Sequence, residues 1–416
     1  MTDLDPIQTQ CCIVGGGPAG IMLGFLLARS GVKTVVLEKH DDFLRDFRGD
    51  TIHPSTMELM HELGLLNEFL QQPHQPIAKG YINVNGQVLQ GPDFSHLPTQ
   101  AKFIAMMPQW DFLNFIVAQA TKYPDFDLHM GAEVTSLIEE NNIVKGVLAQ
   151  TKQGAQQVFA DLVVAADGRS SIFRELSKMQ VKDYRSPIDV LWFRLDKPKA
   201  ETLEALARVQ GGNFMVTINR GAYYQAALLI HKNGFDEIKA KGLQSFRDLI
   251  TSIEPAFYDA VQAIDSWDKV KLLSVQVNRL ERWYREGLLC IGDAAHAMSP
   301  IGGVGINLAV QDAVATANLL VEKLRSGSCN IEDLARVQAR REWPAKMTQR
   351  LQVMAHRGFF GGNEINRTFS VSWPLRLFLR MFAPVLRKVA SRIVGIGFRP
   401  EHIKTQAIQT TIAIDH

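Results

Sequence analysis

The stretch CCIVGGGPAGIMLGFLLARSGVKTVVLEKH, Cys11 to His40, decides the fold. Its first eighteen residues carry no charge, and on hydropathy alone such a run could pass for a membrane span. Gly15, Gly16 and Gly17 with Pro18 behind them would interrupt a spanning helix near its start. The same residues suit a tight turn between a short buried strand and a helix. CCIVGGG begins as that strand, AGIMLGFLLARSG keeps helical periodicity up to a C-cap at Gly31, and KTVVLEK reads as a second buried strand ending at Glu38. Strand, turn, helix and strand make one βαβ unit.

Gly15, Gly17 and Gly20, with Pro18 and Ala19 between the last two, fit G-x-G-x-x-G. The first glycine makes the turn, the second lets backbone approach a pyrophosphate, and the third lets helix pack on strand. The helix N-terminus then offers free N–H groups and a positive dipole end. Glu38, followed by Lys39, stands where an acid accepts from a ribose 2′-hydroxyl and disfavours a 2′-phosphate. FAD or NAD is therefore expected here, and NADP is not. The uncharged run is a buried strand and helix.

Composition agrees with an enzyme of two or three domains: 416 residues, 46% of them hydrophobic. A net charge of +2, from 45 basic and 43 acidic residues, gives no reason to expect nucleic acid as a partner. The opening MTDLDPIQTQ lacks the basic stretch and apolar core of a secretory signal. Cys11, Cys12, Cys290 and Cys329 have no metal-site spacing and read as reduced packing residues of a cytoplasmic protein, with no metal expected.

Two further stretches choose the cofactor. DLVVAADGRSSIFRELS (161–177) places an apolar strand before Asp167-Gly168, with Ser170 or Ser171 able to cap the next helix. GLLCIGDAAHAMSPIGGVGINLAVQDAVATANLL (287–320) gives another buried strand, then Gly292-Asp293, a glycine-rich turn and a long amphipathic helix. No second G-x-G-x-x-G with a following acid occurs, so the chain has one dinucleotide fold.

These three motifs, in this order, resemble the FAD-dependent aromatic hydroxylases, the single-component flavoprotein monooxygenases that include para-hydroxybenzoate hydroxylase and ubiquinone-biosynthesis hydroxylases. The resemblance covers roughly residues 10 to 345. It implies that Asp293 binds the ribityl and pyrophosphate region of non-covalent FAD. By the same resemblance, Pro300, Gly303, Val304, Gly305, Ile306 and Asn307 form the turn and helix start beside the isoalloxazine ring. Their N–H groups would meet its pyrimidine side and stabilise negative charge on the reduced ring. Arg48 matches an arginine that contacts FAD from a loop, Gln109 a glutamine at a helix start, and Val134 a strand residue whose backbone meets adenine. Asp167 and Arg174 match residues of the pyrophosphate and NAD(P)H-approach region. His296 reads as a structural histidine. The implied reaction is hydroxylation of a phenol- or quinol-like aromatic with NAD(P)H and O2 through a flavin hydroperoxide. The flavin does the chemistry and no side chain is expected to be catalytic.

The implied fold class is α/β: a Rossmann-like FAD-binding domain (1–78, 100–186 and 274–345), an inserted, mainly antiparallel substrate sheet (79–99 and 187–273), and a C-terminal helical segment (346–416). Strand-like pieces at 189–196, 213–220, 222–231 and 271–280, and hairpin signals at Asn85-Gly86 and after Asn219-Arg220, support that sheet. The helical stretch 242–264 flanks it. The resemblance puts the substrate pocket between sheet and flavin, with Trp192, Phe214, Tyr223, Tyr224 and Gln225 as candidate lining residues. No arginine and serine set matches a carboxylate clamp. A halogenase would carry W-x-W-x-I-P, which is absent. A prenyl reductase and a non-catalytic redox sensor are the competing readings. Pro374 and Pro384 break the basic, apolar segment 369–403 into short helices, expected to cap the flavin domain. The alternative is contact with an anionic membrane surface. The active protein is expected as a monomer or homodimer.

Overall fold

The computed structural model describes residues 4–44, 51–198, 206–360 and 385–408. Its centre is a parallel sheet. Ile7–Val14 pairs with Thr34–Glu38 on one side and with Ala155–Ala165 on the other. Phe126–Met130 and Leu288–Cys290 extend the sheet, and an antiparallel arm of Glu133–Glu140 and Ile143–Gln150 joins it. Both faces are covered, which is why the inner half of the first strand, Cys11–Val14, is apolar without alternation. Cys11 and Ile13 look into the layer of helices Pro18–Arg29, Gln109–Ala120 and Gly305–Arg325. Cys12 and the rest of the opposite set look toward Trp283, Phe173 and the antiparallel arm. All four cysteines are free thiols, and three of them are buried.

The membrane question is settled by packing for the opening helix, whose residues from Ala19 to Ala28 are all buried. Among the described residues one helical stretch, Ile301–Arg325, is long and apolar enough to cross a bilayer. Its most apolar window is 72% buried within the protein.

A second sheet has seven strands in the order Lys271–Leu273, Ile188–Asp196, Tyr223–His231, Asn213–Asn219, Ala207–Gln210, Lys79–Val84 and Gln87–Asp93. Only the contact of Ala207–Gln210 with Lys79–Val84 is parallel. The turn at Asn85 (φ 49°) and Gly86 (φ 83°) has both central residues left-handed, the geometry that matches strand twist in a two-residue hairpin. One face of this sheet packs on the helix Leu243–Ile253 through Phe193, Leu228, Phe246 and Ile250. The other meets Ile301 and Val353, and beside them Val394 and Ile396.

Two elements differ from expectation. The stretch 271–280 is not one strand: Lys271–Leu273 lies in the large sheet, while Asn278–Leu280 pairs with Val181–Asp183. The buried Asp189 carboxylate accepts from Val275 N–H, Asn233 N–H and Lys232 Nζ, all within 2.9 Å, and draws the chain out of the ladder. The helix expected over 242–264 ends at Ile253 because Pro255 follows, and short 3₁₀ turns replace its second half.

Pro374, Pro384 and the basic residues before 385 lie outside the described residues. From 385 to 395 the chain is helical. Ser391 is buried, and its hydroxyl accepts the N–H of Asp93 at 2.8 Å. Gly395 packs so closely that a Cβ there would stand 2.6 Å from Leu97 Cδ1. The tail then crosses the first helix, with Arg29 donating to Thr405 O and Ile408 N–H donating to Arg29 O.

Candidate active site

The glycines at the first strand end have distinct physical reasons. Gly15 is left-handed (φ 111°), and a Cβ there would sit 2.4 Å from Ala166 O; one at Gly20 would sit 1.9 Å from Gly15 O. Both are held by backbone approach. Gly17 is different: its backbone is extended (φ −78°, ψ −177°), and a Cβ would meet nothing within 4 Å. It lies before the helix Pro18–Arg29, at a turn that leaves room for a ligand against the helix N–H groups. Glu38 closes the other side. Its Oε2 accepts Gly16 N–H at 2.8 Å and its Oε1 accepts His40 N–H at 3.0 Å. Lys39, next to it, is exposed.

Across the sheet, Arg169 Nη2 stands 3.4 Å from Asp293 Oδ2, and Arg169 Nη1 is buried without a hydrogen-bond partner. A guanidinium arm left unpaired beside an open glycine turn suits a diphosphate. Arg174 holds the Asp293 loop from behind, donating to Asp293 O (2.7 Å) and Ala294 O (2.9 Å). The serine caps expected after Asp167 do not form. The helix Phe173–Leu176 starts after Ile172, whose N–H donates to Asp167 Oδ2 at 3.0 Å. A carboxylate accepts more strongly than a hydroxyl, and Asp167 takes the position. Burial pushes the Asp167 carboxyl above the usual range.

Several side chains order the turn Pro300–Gly305, Asn307 and Thr51 among them. Asn307 Oδ1 accepts His53 N–H (2.9 Å) and Thr56 Oγ1–H (2.7 Å), while Thr51 Oγ1 donates to Gly303 O (2.7 Å). Gly302 and Gly303 are both left-handed, and Gly305 has open space where a Cβ would be. Gln109 opens the helix Gln109–Ala120, and Val134 is buried in the strand Glu133–Glu140. Arg48 lies outside the described residues. His296 is walled in: its Nε2 meets Asp312 Oδ2 at 2.6 Å, and its ring packs on Trp283. The residues present fit FAD.

A family model described as an FAD binding domain matches residues 8–350. The chain is 31% identical over 395 residues to the 6-methylpretetramide 4-monooxygenase of Streptomyces rimosus, covering 94% of this chain and 93% of that protein. The chain belongs to the FAD-dependent aromatic monooxygenases. It is also 26% identical over 309 residues to a rifampicin monooxygenase of Streptomyces venezuelae, covering 72% of this chain and 61% of that one. Among solved structures, the p-nitrophenol 4-monooxygenase of Pseudomonas putida shares the fold with a TM-score of 0.73 at 18% identity, over 92% of this chain and 99% of that one. As a member of this family, the protein hydroxylates an aromatic small molecule with FAD, NAD(P)H and O2.

For the residues expected to line the substrate pocket, strand register assigns the faces. Trp192 lies opposite Ala227, Arg194 opposite Gln225 and Ile218 opposite Gln225. Trp192, Phe214, Tyr223 and Gln225 therefore share the face that meets Ile301. Tyr224 does not: it packs against Phe257 on the helix-covered face and is corrected from the lining set. Tyr223 is stacked under Arg194, 4.2 Å from ring centroid to guanidinium carbon. Gln225 is engaged by Arg220 at 3.2 Å.

Thr51, His53 and Thr56 were not legible in the sequence, because nothing in TIHPST (51–56) announces a bond to a residue some 250 positions away. His53 is fully buried, and its Nδ1 lies 2.6 Å from Val394 O; a carbonyl only accepts, so Nδ1 carries the hydrogen. Burial pushes the imidazole down to about 4. The unfolded chain binds this proton near the ordinary value of about 6.5, so stability is lost as pH is lowered through that window, by about 1.4 kcal/mol per unit. His53→Gln is expected to flatten this acid arm in thermal melts. An arm of unchanged slope would contradict the assignment.

Proposed function

We propose that the aromatic substrate is a fused-ring phenol of the pretetramide kind, held between the outer sheet face and the turn Pro300–Gly305. One observation carries this reading. Ile301, in that turn, packs in the same apolar cluster as Val190, Ala227 and Leu229 of the sheet, with Trp192 beside them. A flat apolar face opposite a turn rich in N–H groups holds a ring by area and leaves its edge to polar contacts. The near full-length likeness to the 6-methylpretetramide enzyme supports the substrate class.

Gly15, Gly17, Pro18, Ala19 and Gly20 would cradle the diphosphate with Arg169 and Asp293, and Glu38 would take the ribose. Gln109 and Val134 would meet the rest of FAD. When bound, FAD supplies the ring that accepts reducing equivalents from NAD(P)H and delivers oxygen to the substrate. The chain's own contribution is orientation, exclusion of water by the sheet, and the positive helix end at Gly305, which stabilises negative charge on the reduced ring. The enzyme is read as cytoplasmic, with NAD(P)H a transient visitor.

Purified FAD-loaded enzyme is expected to consume NAD(P)H slowly alone and roughly 10-fold or more faster with the right phenol, as substrate-gated members of such enzyme classes do. Oxygen uptake against a panel of phenols and quinols checks this. Rates that stay flat across the panel, with anaerobic reduction of an alkene-bearing lipid, would move the protein to the reductase class.

A further inference from the structure

The helices Gly305–Arg325, Ile331–Phe360 and 385–395 line a cavity of about 200 Å³. Leu308, Leu351, Ala355, Ile393 and Phe398 supply apolar wall. Gly302 and Val304 of the flavin turn line it, and so does Gln311. Most polar groups on its wall are already engaged. Asn307 orders the turn, Gln352 holds the backbone of Ser299 and Ile301, and Arg341 is paired with Asp312 and Glu401.

Gln311 is engaged at one end only. Its Oε1 accepts the backbone N–H of Glu401. A backbone N–H pairs only with the oxygen, so the amide orientation is fixed and Nε2 is the free end. That Nε2 is buried without a partner, in a side chain only 5% exposed. A buried donor with no acceptor is costly, and it is the kind of group a ligand oxygen satisfies. Along the helix, Gln311 lies six residues beyond Gly305, roughly 9 Å at the helical rise. A few fused rings span that distance.

We propose that this cavity is a second lobe of the substrate site, in which Gln311 Nε2 donates to a carbonyl or phenolic oxygen at the far end of a fused-ring substrate. The inference rests on the fused-ring reading above and extends it. The sheet-facing lobe takes the ring that is hydroxylated. The lobe between the helices takes the remaining rings, and a single-ring phenol does not reach it.

Calorimetric titration of the FAD-loaded enzyme with alizarin and with phenol tests the proposal. Gln311→Leu removes the donor. Leu351→Trp, at a partly exposed rim position, fills the lobe without touching Gln311 or its bond to Glu401. Each variant is expected to weaken alizarin binding about 10-fold, the scale of one lost hydrogen bond or one blocked contact. Phenol affinity and flavin loading should stay within about 2-fold. Two variants that bind alizarin as wild type does would overturn the second lobe and leave the fused-ring reading standing. Equal weakening of phenol and alizarin in Leu351→Trp would also overturn it. A wild-type enzyme that turns over phenol but does not bind alizarin would overturn the fused-ring reading, and the lobe with it.

Discussion

Gly17→Val protein is expected to fold, melt close to the wild-type temperature and purify without yellow colour. The backbone at Gly17 is extended and a Cβ there meets nothing, so the substitution introduces neither strain nor overlap in the protein itself. The added side chain instead fills the space before the helix Pro18–Arg29, where a phosphate would meet N–H groups. Losing that approach is expected to lower FAD affinity about 100-fold or more, about 2.7 kcal/mol. Gly20→Val makes the contrast. Its Cβ would fall 1.9 Å from Gly15 O, a backbone atom that cannot step aside. That variant should be insoluble or destabilised by more than about 4 kcal/mol. Equilibrium dialysis with FAD, beside thermal melts of the apo forms, separates the two. A yellow Gly17→Val protein would remove the phosphate from this turn.

Asp312→Asn is expected to be the most destabilising single change outside the glycines. Asp312 is fully buried on the long helix. Its Oδ2 takes His296 Nε2 at 2.6 Å and Gly292 N–H at 3.0 Å, and its Oδ1 takes Arg341 Nε at 2.8 Å. Arg341 passes the charge on to Glu401, which also binds Arg340 through both oxygens. The network therefore joins the loop carrying Asp293 to the C-terminal tail. Breaking one partner of a buried pair costs about 3–5 kcal/mol, because the other charge stays behind unpaired. For a chain of 416 residues a fall in melting temperature of roughly 3–6 °C follows. Burial alone would raise this carboxyl, but His296 and Arg341 hold it below its ordinary value. Its contribution is thus complete above the ordinary Asp value of about 4 and is lost as pH falls below it. Melting curves of wild type and variant should converge at acid pH. A constant gap between them would deny the ion pair its role.

The sequence carries the flavin half of this molecule plainly and the substrate half only in outline. Gly15, Gly17 and Gly20 act through backbone geometry within a few residues of one another, so their spacing is enough to find them. Alternation in AYYQAALLIH shows that Tyr223 and Tyr224 part to opposite faces, but which face meets the flavin turn depends on Phe257 and Ile301, both distant in the chain. Asp189 breaks the expected 271–280 strand through Val275, a contact that no local pattern announces. Ser170 and Ser171 stand nearest the helix start, yet Asp167 takes the N–H of Ile172 once the turn at Gly168 folds back. Gln311 reads as an ordinary helix residue, and only Glu401, arriving from the tail, fixes its amide and leaves Nε2 free.

The measurement that tests the account most directly uses oxygen-18 gas. FAD-loaded enzyme, NAD(P)H and a fused-ring phenol that stimulates NAD(P)H oxidation are allowed to turn over under labelled O2, and the product is analysed by mass spectrometry. The account predicts a hydroxylated product whose one new oxygen atom carries the label, none of it coming from the unlabelled water. Oxidation of NAD(P)H that yields only hydrogen peroxide, or a product whose new oxygen comes from water, across all phenols that bind, would contradict it.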